Sequence, residues 1–184
     1  MFMRKGATLR AMSKELSPAG VPEIPNTISC TRADAEAGVP EAQFGMAVYV
    51  MAGGTPQHYA DAVQWYLKAA EQNHRMAQFN LGQMFAKAQG VERDDSTARM
   101  WIERAANGGD AGAQFNLAER CDHGSHQTDM VKASESRIEC FKWFALAADQ
   151  GYRNAEERGD TATLRMTDHE VHEARRRVTK FVPA

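Results

Sequence analysis

A short segment near the middle of the chain holds residue types that ligate metals. Cys121, His123 and His126 lie close together, and Cys140 follows further along. Thiolate and imidazole are ligands that zinc takes. Structural zinc sites have CxxC or HxxxH spacings, which are absent here, so we favour core packing of the two cysteines and expect no bound metal. Metal binding and a Cys121–Cys140 disulfide remain open as alternatives, although a reducing cytosol opposes the disulfide.

Two segments near the end of the chain also carry reactive groups. A zinc-protease helix needs two histidines four residues apart, whereas His169 and His172 are three apart. The arginines at 175–177 are interpreted as a helix face that upstream acids compensate, and not as a nucleic-acid site.

The chain contains no GxSxG, no phosphate-cradling glycine loop and no CxxC. We therefore predict no catalytic residue, no cofactor and no enzyme activity.

The composition excludes further classes of function. The chain has 184 residues, with 22 Lys and Arg against 24 Asp and Glu and a net charge of −2. Without a basic excess, a general nucleic-acid binder is disfavoured. No apolar run reaches the roughly 18 residues that are needed to cross a bilayer. The first residues of the sequence do not have the apolar core of a secretory signal. We expect a cytoplasmic protein without membrane contact; export or a periplasmic location through a non-obvious signal is the alternative.

Two sequence blocks alternate along the chain and define a repeat. One is the tripeptide Ala-Gln-Phe, and the other begins with tryptophan. Their first residues are Ala42, Trp65, Ala77, Trp101, Ala113 and Trp143. Each tryptophan precedes the next alanine by 12 residues, whereas the interval from alanine to tryptophan grows from 23 to 24 and then 30. This pattern predicts a repeat protein whose third unit has a connection six residues longer than that of the second.

Both blocks have the apolar period of helices. Ala77, Leu81 and Phe85 recur at i, i+4 and i+8 in the second unit. Each unit is therefore a pair of antiparallel helices, which we name helix A and helix B. Gly82 lies inside a helix A, where glycine costs about 1 kcal/mol relative to alanine, and this indicates close helix packing. The periodic tryptophans are interpreted as packing residues between helices.

The ends of several helices can be predicted. Left-handed caps are expected after the helices B, at Asn73, Gly109 and Gly151. Asp94 or Asp95 should cap the second helix B. Thr167-Asp168-His169-Glu170 has the form of a capping box that opens a closing helix, which runs to about residue 181.

These features predict the domain organisation. Residues 1–26 are rich in Pro and Gly in their second half and should form a mobile tail. Residues 27–183 should form one solenoid domain. Its parts are a half repeat at 27–40 with a lone helix over 28–37, repeats at 41–76, 77–112 and 113–154, and a C-terminal cap at 155–183 with a helix over 156–166.

The motifs resemble those of the Sel-one-like repeat (SLR), a relative of the tetratricopeptide repeat (TPR). Its pattern combines AxxxLGxxY, GxGVxxD and AxxWYxxAAxxGxxxA. The second unit matches at Ala77, Leu81, Gly82, Phe85, Gly90, Val91, Asp94, Ala98, Trp101, Ala105, Ala106, Gly109 and Ala113. The first unit departs from it, with Met46-Ala47 in place of Leu-Gly. The resemblance implies an all-α, right-handed α/α superhelical solenoid of TPR-like helical pairs, with the helices A on its concave face.

The resemblance also implies a function. SLR proteins are mostly bacterial and eukaryotic adaptors or scaffolds, so we expect a non-enzymatic module that binds a partner protein or peptide on the concave face, as a monomer or weak homodimer. The alternative is a small hydrolase or β-lactam-binding protein, as in a cysteine-rich branch of the family. By analogy with TPR units, the partner-binding residues are Asn80, Gln83, Lys87, Asn116, Glu119 and Arg120. The asparagines are the most specific pair, since such side chains can bond a peptide backbone.

Overall fold

The protein is a series of short helices. The computed structural model describes residues 32–124 and 129–184, and within them all regular secondary structure is helical. The helices are α1 (Arg32–Glu36), α2 (Pro40–Met51), α3 (Pro56–Glu71), α4 (Arg75–Lys87), α5 (Asp95–Asn107), α6 (Ala111–Gly124), α7 (Met130–Asp149), α8 (Ala155–Thr163) and α9 (Asp168–Thr179).

The helices form pairs that stack on one another. Helices α2, α4 and α6 are the helices A, and they pack against the helices B that follow them, α3, α5 and α7. Each helix B also packs against the next helix A, so the pairs build one α/α solenoid, as predicted. Helix α1 packs on α2 and lies within the predicted lone helix at 28–37. Residues 28–31 and the predicted tail at 1–26 lie outside the described residues.

The predicted helix ends are confirmed. Asn73, Gly109 and Gly151 have φ of 63°, 85° and 68°, in the left-handed region that ends a helix. Asp94, and not Asp95, caps α5: one of its carboxylate oxygens accepts hydrogen bonds from two backbone N–H groups. Thr167 caps α9 in a complete capping box.

The third unit is longer because its helix B begins earlier. Helix α7 has 20 residues, against 13 in α5. Helix α7 begins 13 residues before its tryptophan, Trp143, whereas α5 begins six residues before Trp101. The expectation of a longer connection is therefore wrong, since the extra residues form about two additional helical turns. They place Met130 and Val131 at the surface, 85% and 79% exposed.

The core is made by small residues and aromatic rings. Trp101 and Trp143 are buried and Trp65 is partly buried, each within an apolar cluster, which confirms their packing role. Gly82 lies where α4 meets α5. A Cβ atom at this position would come within 2.7 Å of the Ile102 side chain. Glycine therefore allows the close approach that the sequence indicated.

A buried glutamine in each helix A contacts the end of the preceding helix B. Its side-chain amide donates to a carbonyl oxygen eight residues earlier. The pairs are Gln43–Ala35 at 3.2 Å, Gln78–Ala70 at 3.0 Å and Gln114–Ala106 at 3.2 Å. Each of these carbonyl oxygens also accepts from the backbone N–H three residues later, so the glutamine adds a second hydrogen bond that joins the helix A to the preceding helix end.

Candidate interaction surface on the helices A

Asn80, on α4, is half-buried and bonded to the preceding helix B. Its Nδ2 donates to the hydroxyl oxygen of Tyr66 at 3.2 Å. The Tyr66 side chain is completely buried, and burial raises the pKa of its hydroxyl, while the bond from Asn80 acts in the opposite direction. The asparagine gives this buried hydroxyl a hydrogen-bond partner. Asn80 therefore already has a role within the fold.

Asn116 occupies the same position one repeat later and has different surroundings. The residue 14 positions before Asn80 is Tyr66, whereas the residue 14 positions before Asn116 is Ile102, which has no polar side-chain atom. The side-chain oxygen of Asn116, Oδ1, is buried and has no hydrogen-bond partner among the described residues. The two asparagines, equivalent in sequence, thus differ in their bonding.

The other four predicted residues lie closer to solvent. Gln83 and Glu119 occupy equivalent positions on α4 and α6, and both are half-buried. Lys87 and Arg120 are exposed. The six residues are thus distributed over two helices A, three on α4 and three on α6.

Helix α2, the helix A of the first unit, carries different residue types at the equivalent positions. In the repeat register, Gly45 corresponds to Asn80 and Val48 to Gln83, 35 residues earlier. Val48 is 41% exposed, although it is apolar. The repeat register alone identifies these positions, although neither Gly45 nor Val48 has a polar side chain.

The residues with metal-ligand chemistry do not form a site in the described part of the chain. Cys121 and Cys140 are both thiols; Cys140 belongs to the core and Cys121 packs against it, as core packing predicts. Burial and the nearby Glu139 carboxylate raise the pKa of the Cys121 thiol, which disfavours the reactive thiolate. No group of metal-binding side chains occurs among the described residues. The His126 position and the side chain of His123 lie outside them.

The arginine run near the C-terminus is engaged by carboxylates. Arg177 bonds Glu173 on its own helix and Glu135 and Glu139 on α7. Arg176 bonds Glu173 through two nitrogens. The prediction of a helix face compensated by upstream acids is confirmed for these two arginines.

The repeats match a known family model. Three matches to the model described as Sel1 repeat cover residues 40–74, 75–110 and 111–152, more than half of the chain, and coincide with the pairs α2/α3, α4/α5 and α6/α7. The chain belongs to the Sel1 repeat family. Sel1 repeat proteins are generally protein-interaction scaffolds without catalytic activity.

Solved Sel1 repeat structures share the fold. One is a protective antigen of uropathogenic Escherichia coli that displays an SLR fold, with a TM-score of 0.67 and 25% identity over 80% of this chain. Another is a Sel1 repeat protein from Oxalobacter formigenes, with a TM-score of 0.56 and 30% identity over 68% of this chain. The match covers only 31% and 49% of those chains. No curated protein matches the sequence significantly.

Among the described residues, none of the helices combines the length and the apolar character needed to cross a bilayer.

Proposed function

We propose that this Sel1 repeat protein is an adaptor or scaffold that binds a partner protein or peptide on the concave face lined by α2, α4 and α6. The observation that carries the proposal is a contrast within the repeats. Positions that pack, such as Ala77 and Ala113, are identical and fully buried. Positions nearer solvent on the same helices differ, as Val48, Gln83 and Glu119 do. Packing requires the constant residues, which leaves the variable ones to determine what is bound.

The chemistry of this surface favours a partner with mixed polarity. Its α2 part carries the partly exposed Val48, its α4 part the cationic Lys87, and its α6 part the anionic Glu119 and the cationic Arg120. Charges of both signs suit a protein or peptide better than a uniformly charged polymer such as a nucleic acid.

The asparagines have a supporting role in this proposal. The Asn80 amide is bonded to Tyr66, and the buried oxygen of Asn116 is inaccessible to solvent. Binding energy should therefore depend more on Gln83, Lys87 and Glu119 than on the asparagine pair. An enzymatic role ranks behind this one, because burial and the nearby Glu139 carboxylate disfavour the reactive thiolate of Cys121.

A pull-down from extract of the native cell tests the binding face. The test variant is Lys87→Glu with Glu119→Lys, which reverses both charges on the helices A and keeps the net charge. The matched control is Arg99→Glu with Glu103→Arg, which does the same to an exposed ion pair on the helix B α5. We expect the first variant to lose the partners retained by the wild type and the control. Equal retention by all three proteins would refute the concave-face assignment.

A further inference from the structure

The last helix pair of the solenoid is incomplete. In each of the three repeats, the helix B packs on the helix A that precedes it. Helix α8 stacks on α7 as a fourth helix A would, but α9 packs against α7 and not against α8. Among residues 32–124 and 129–184, no helix therefore packs on the face of α8 that a helix B would cover, and we call this the open face.

The repeat register identifies this open face. Asp160 is exposed, whereas the three equivalent residues of the earlier helices A are buried: Ala47, Gly82 and Ala118. Glu156 is exposed, whereas its equivalents, the glutamines described above, are buried. Glu156, Glu157, Asp160, Thr161 and Leu164 lie together along this side of α8. Leu164 is 85% exposed.

The side chains of the open face determine what can cover it. At Gly82, the backbones of α4 and α5 come so close that a Cβ atom would lie 2.9 Å from the carbonyl oxygen of Ala98. Asp160 at the equivalent position excludes such an approach. A helix that covers α8 must therefore lie further away and bring cationic side chains to meet Asp160 and its acidic neighbours.

Helix α9 presents this complementary chemistry on its outer surface. Its inner side holds the buried Ala174 and faces α7. His169, His172 and Arg175 are exposed and recur every three residues along the other side. Arg175 carries the positive charge on this side of α9. Arg175 and the acidic face of α8 belong to the two helices that flank α7, at the same end of the solenoid.

We propose that the open face of α8 binds the outer surface of α9 from a second copy of this chain. In a two-fold dimer, each copy supplies one acidic face of α8 and one Arg175 on α9, so the contact forms twice. Arg175 of one copy meets Asp160 and Glu157 of the other, and Leu164 is covered at the edge. The proposal is independent of partner binding on α2, α4 and α6, because it uses a different surface.

Sedimentation velocity over a range of concentrations tests the proposal with the full chain. We expect a monomer–dimer equilibrium in low-salt buffer that weakens in about 1 M NaCl, where the Debye length is about 3 Å. Asp160→Arg and Arg175→Asp should each raise the dimer dissociation constant by about tenfold or more, because each places like charges together twice. An equimolar mixture of the two variants should dimerise again, since both contacts of the mixed dimer pair opposite charges.

Matched controls separate this contact from general charge effects. Glu92→Arg and Arg99→Asp make the same charge changes at exposed sites away from α8 and α9 and should leave the dissociation constant unchanged. Circular dichroism should show the same helix content in every variant. A wild type that stays monomeric in low salt, or a mixture that fails to dimerise, would overturn the proposal.

Discussion

The side-chain amide of Gln114 donates a hydrogen bond to the carbonyl oxygen of Ala106 at 3.2 Å. The bond joins α6 to the last turn of α5, and so joins one repeat to the next. Gln150, which caps α7, donates in turn to the side-chain oxygen of Gln114 at 3.0 Å. Gln114 is only 1% exposed, so its polar atoms depend on these partners.

Replacement of this glutamine should therefore destabilise the solenoid. In Gln114→Leu the new side chain has a similar volume, but it cannot donate to the Ala106 carbonyl oxygen or accept the hydrogen bond from Gln150. We expect the free energy of unfolding to fall by about 1–3 kcal/mol, because two hydrogen bonds worth about 0.5–1.5 kcal/mol each are lost. Urea denaturation monitored by circular dichroism measures it. The control is Gln64→Leu at an exposed position of α3, with an expected change within about 0.5 kcal/mol. Equal effects of the two substitutions would contradict the role assigned to the buried bond.

The two equivalent asparagines should respond differently to substitution. Asn80→Ala leaves the buried Tyr66 hydroxyl without its donor and should cost about 1–3 kcal/mol of stability. Asn116→Ala removes an oxygen that has no partner and should cost less. If both asparagines served only a binding partner, both substitutions would leave the stability of the fold unchanged. Thermal unfolding of the two variants distinguishes these outcomes.

A double-mutant cycle isolates the bond itself. If Asn80 acts through Tyr66, the effects of Asn80→Ala and Tyr66→Phe on the unfolding free energy should not be additive, with a coupling of about 0.5–3 kcal/mol. Ile102→Val with Asn116→Ala is the equivalent cycle one repeat later. Coupling of the same size in both cycles would show that packing, and not the hydrogen bond, links these positions.

Two helical glycines should give substitutions of opposite sign. Gly82→Ala places a methyl group within 2.7 Å of Ile102 and should destabilise by about 1–3 kcal/mol through overpacking. Gly45→Ala meets nothing within 4 Å on α2 and should stabilise by about 0.5–1 kcal/mol, since alanine loses less conformational entropy in a helix. Denaturant titration compares them. A stabilising Gly82→Ala would show that α4 and α5 can separate without loss.

The fold could be predicted from the sequence because repetition amplifies weak local signals. The spacing of Trp101 from Ala113 is reproduced in the other units, and each copy supports the same pairing of helices. The start of α7 could not be predicted. The repeat spacing gives only the number of residues between two blocks, and extra residues there can extend either a helix or a loop. The packing of α9 on α7 was also missed. It depends on ion pairs such as Arg137–Glu170, which join residues far apart in the chain.

The candidate surface was less predictable than the fold. Position within the repeat indicates which side of a helix A a residue occupies, but not how its polar atoms are satisfied. The partner of Asn80 is Tyr66, and the exchange of tyrosine for Ile102 in the next unit leaves Asn116 without one. Such pairs connect different repeats, so a pattern read within one unit does not reveal them.

The attachment of α9 to α7 should depend on pH through Glu170. Burial raises the pKa of this carboxyl, but hydrogen bonds from Arg137, Ser134 and the Thr167 backbone outweigh it and lower the pKa from 4.5 to about 2. Because the folded-state pKa is below the unfolded-state value, the stabilisation is present above pH 4.5 and is lost as the pH falls towards 2.

Glu170→Gln should therefore be less stable than the wild type at neutral pH, by about 1–3 kcal/mol for a charged hydrogen bond. Urea denaturation at a series of pH values should show this difference shrinking from about pH 5 downwards, whereas the exposed control Glu156→Gln should differ little from the wild type throughout. A difference for Glu170→Gln that stayed constant down to low pH would mean that the carboxylate charge does not hold α9 in place.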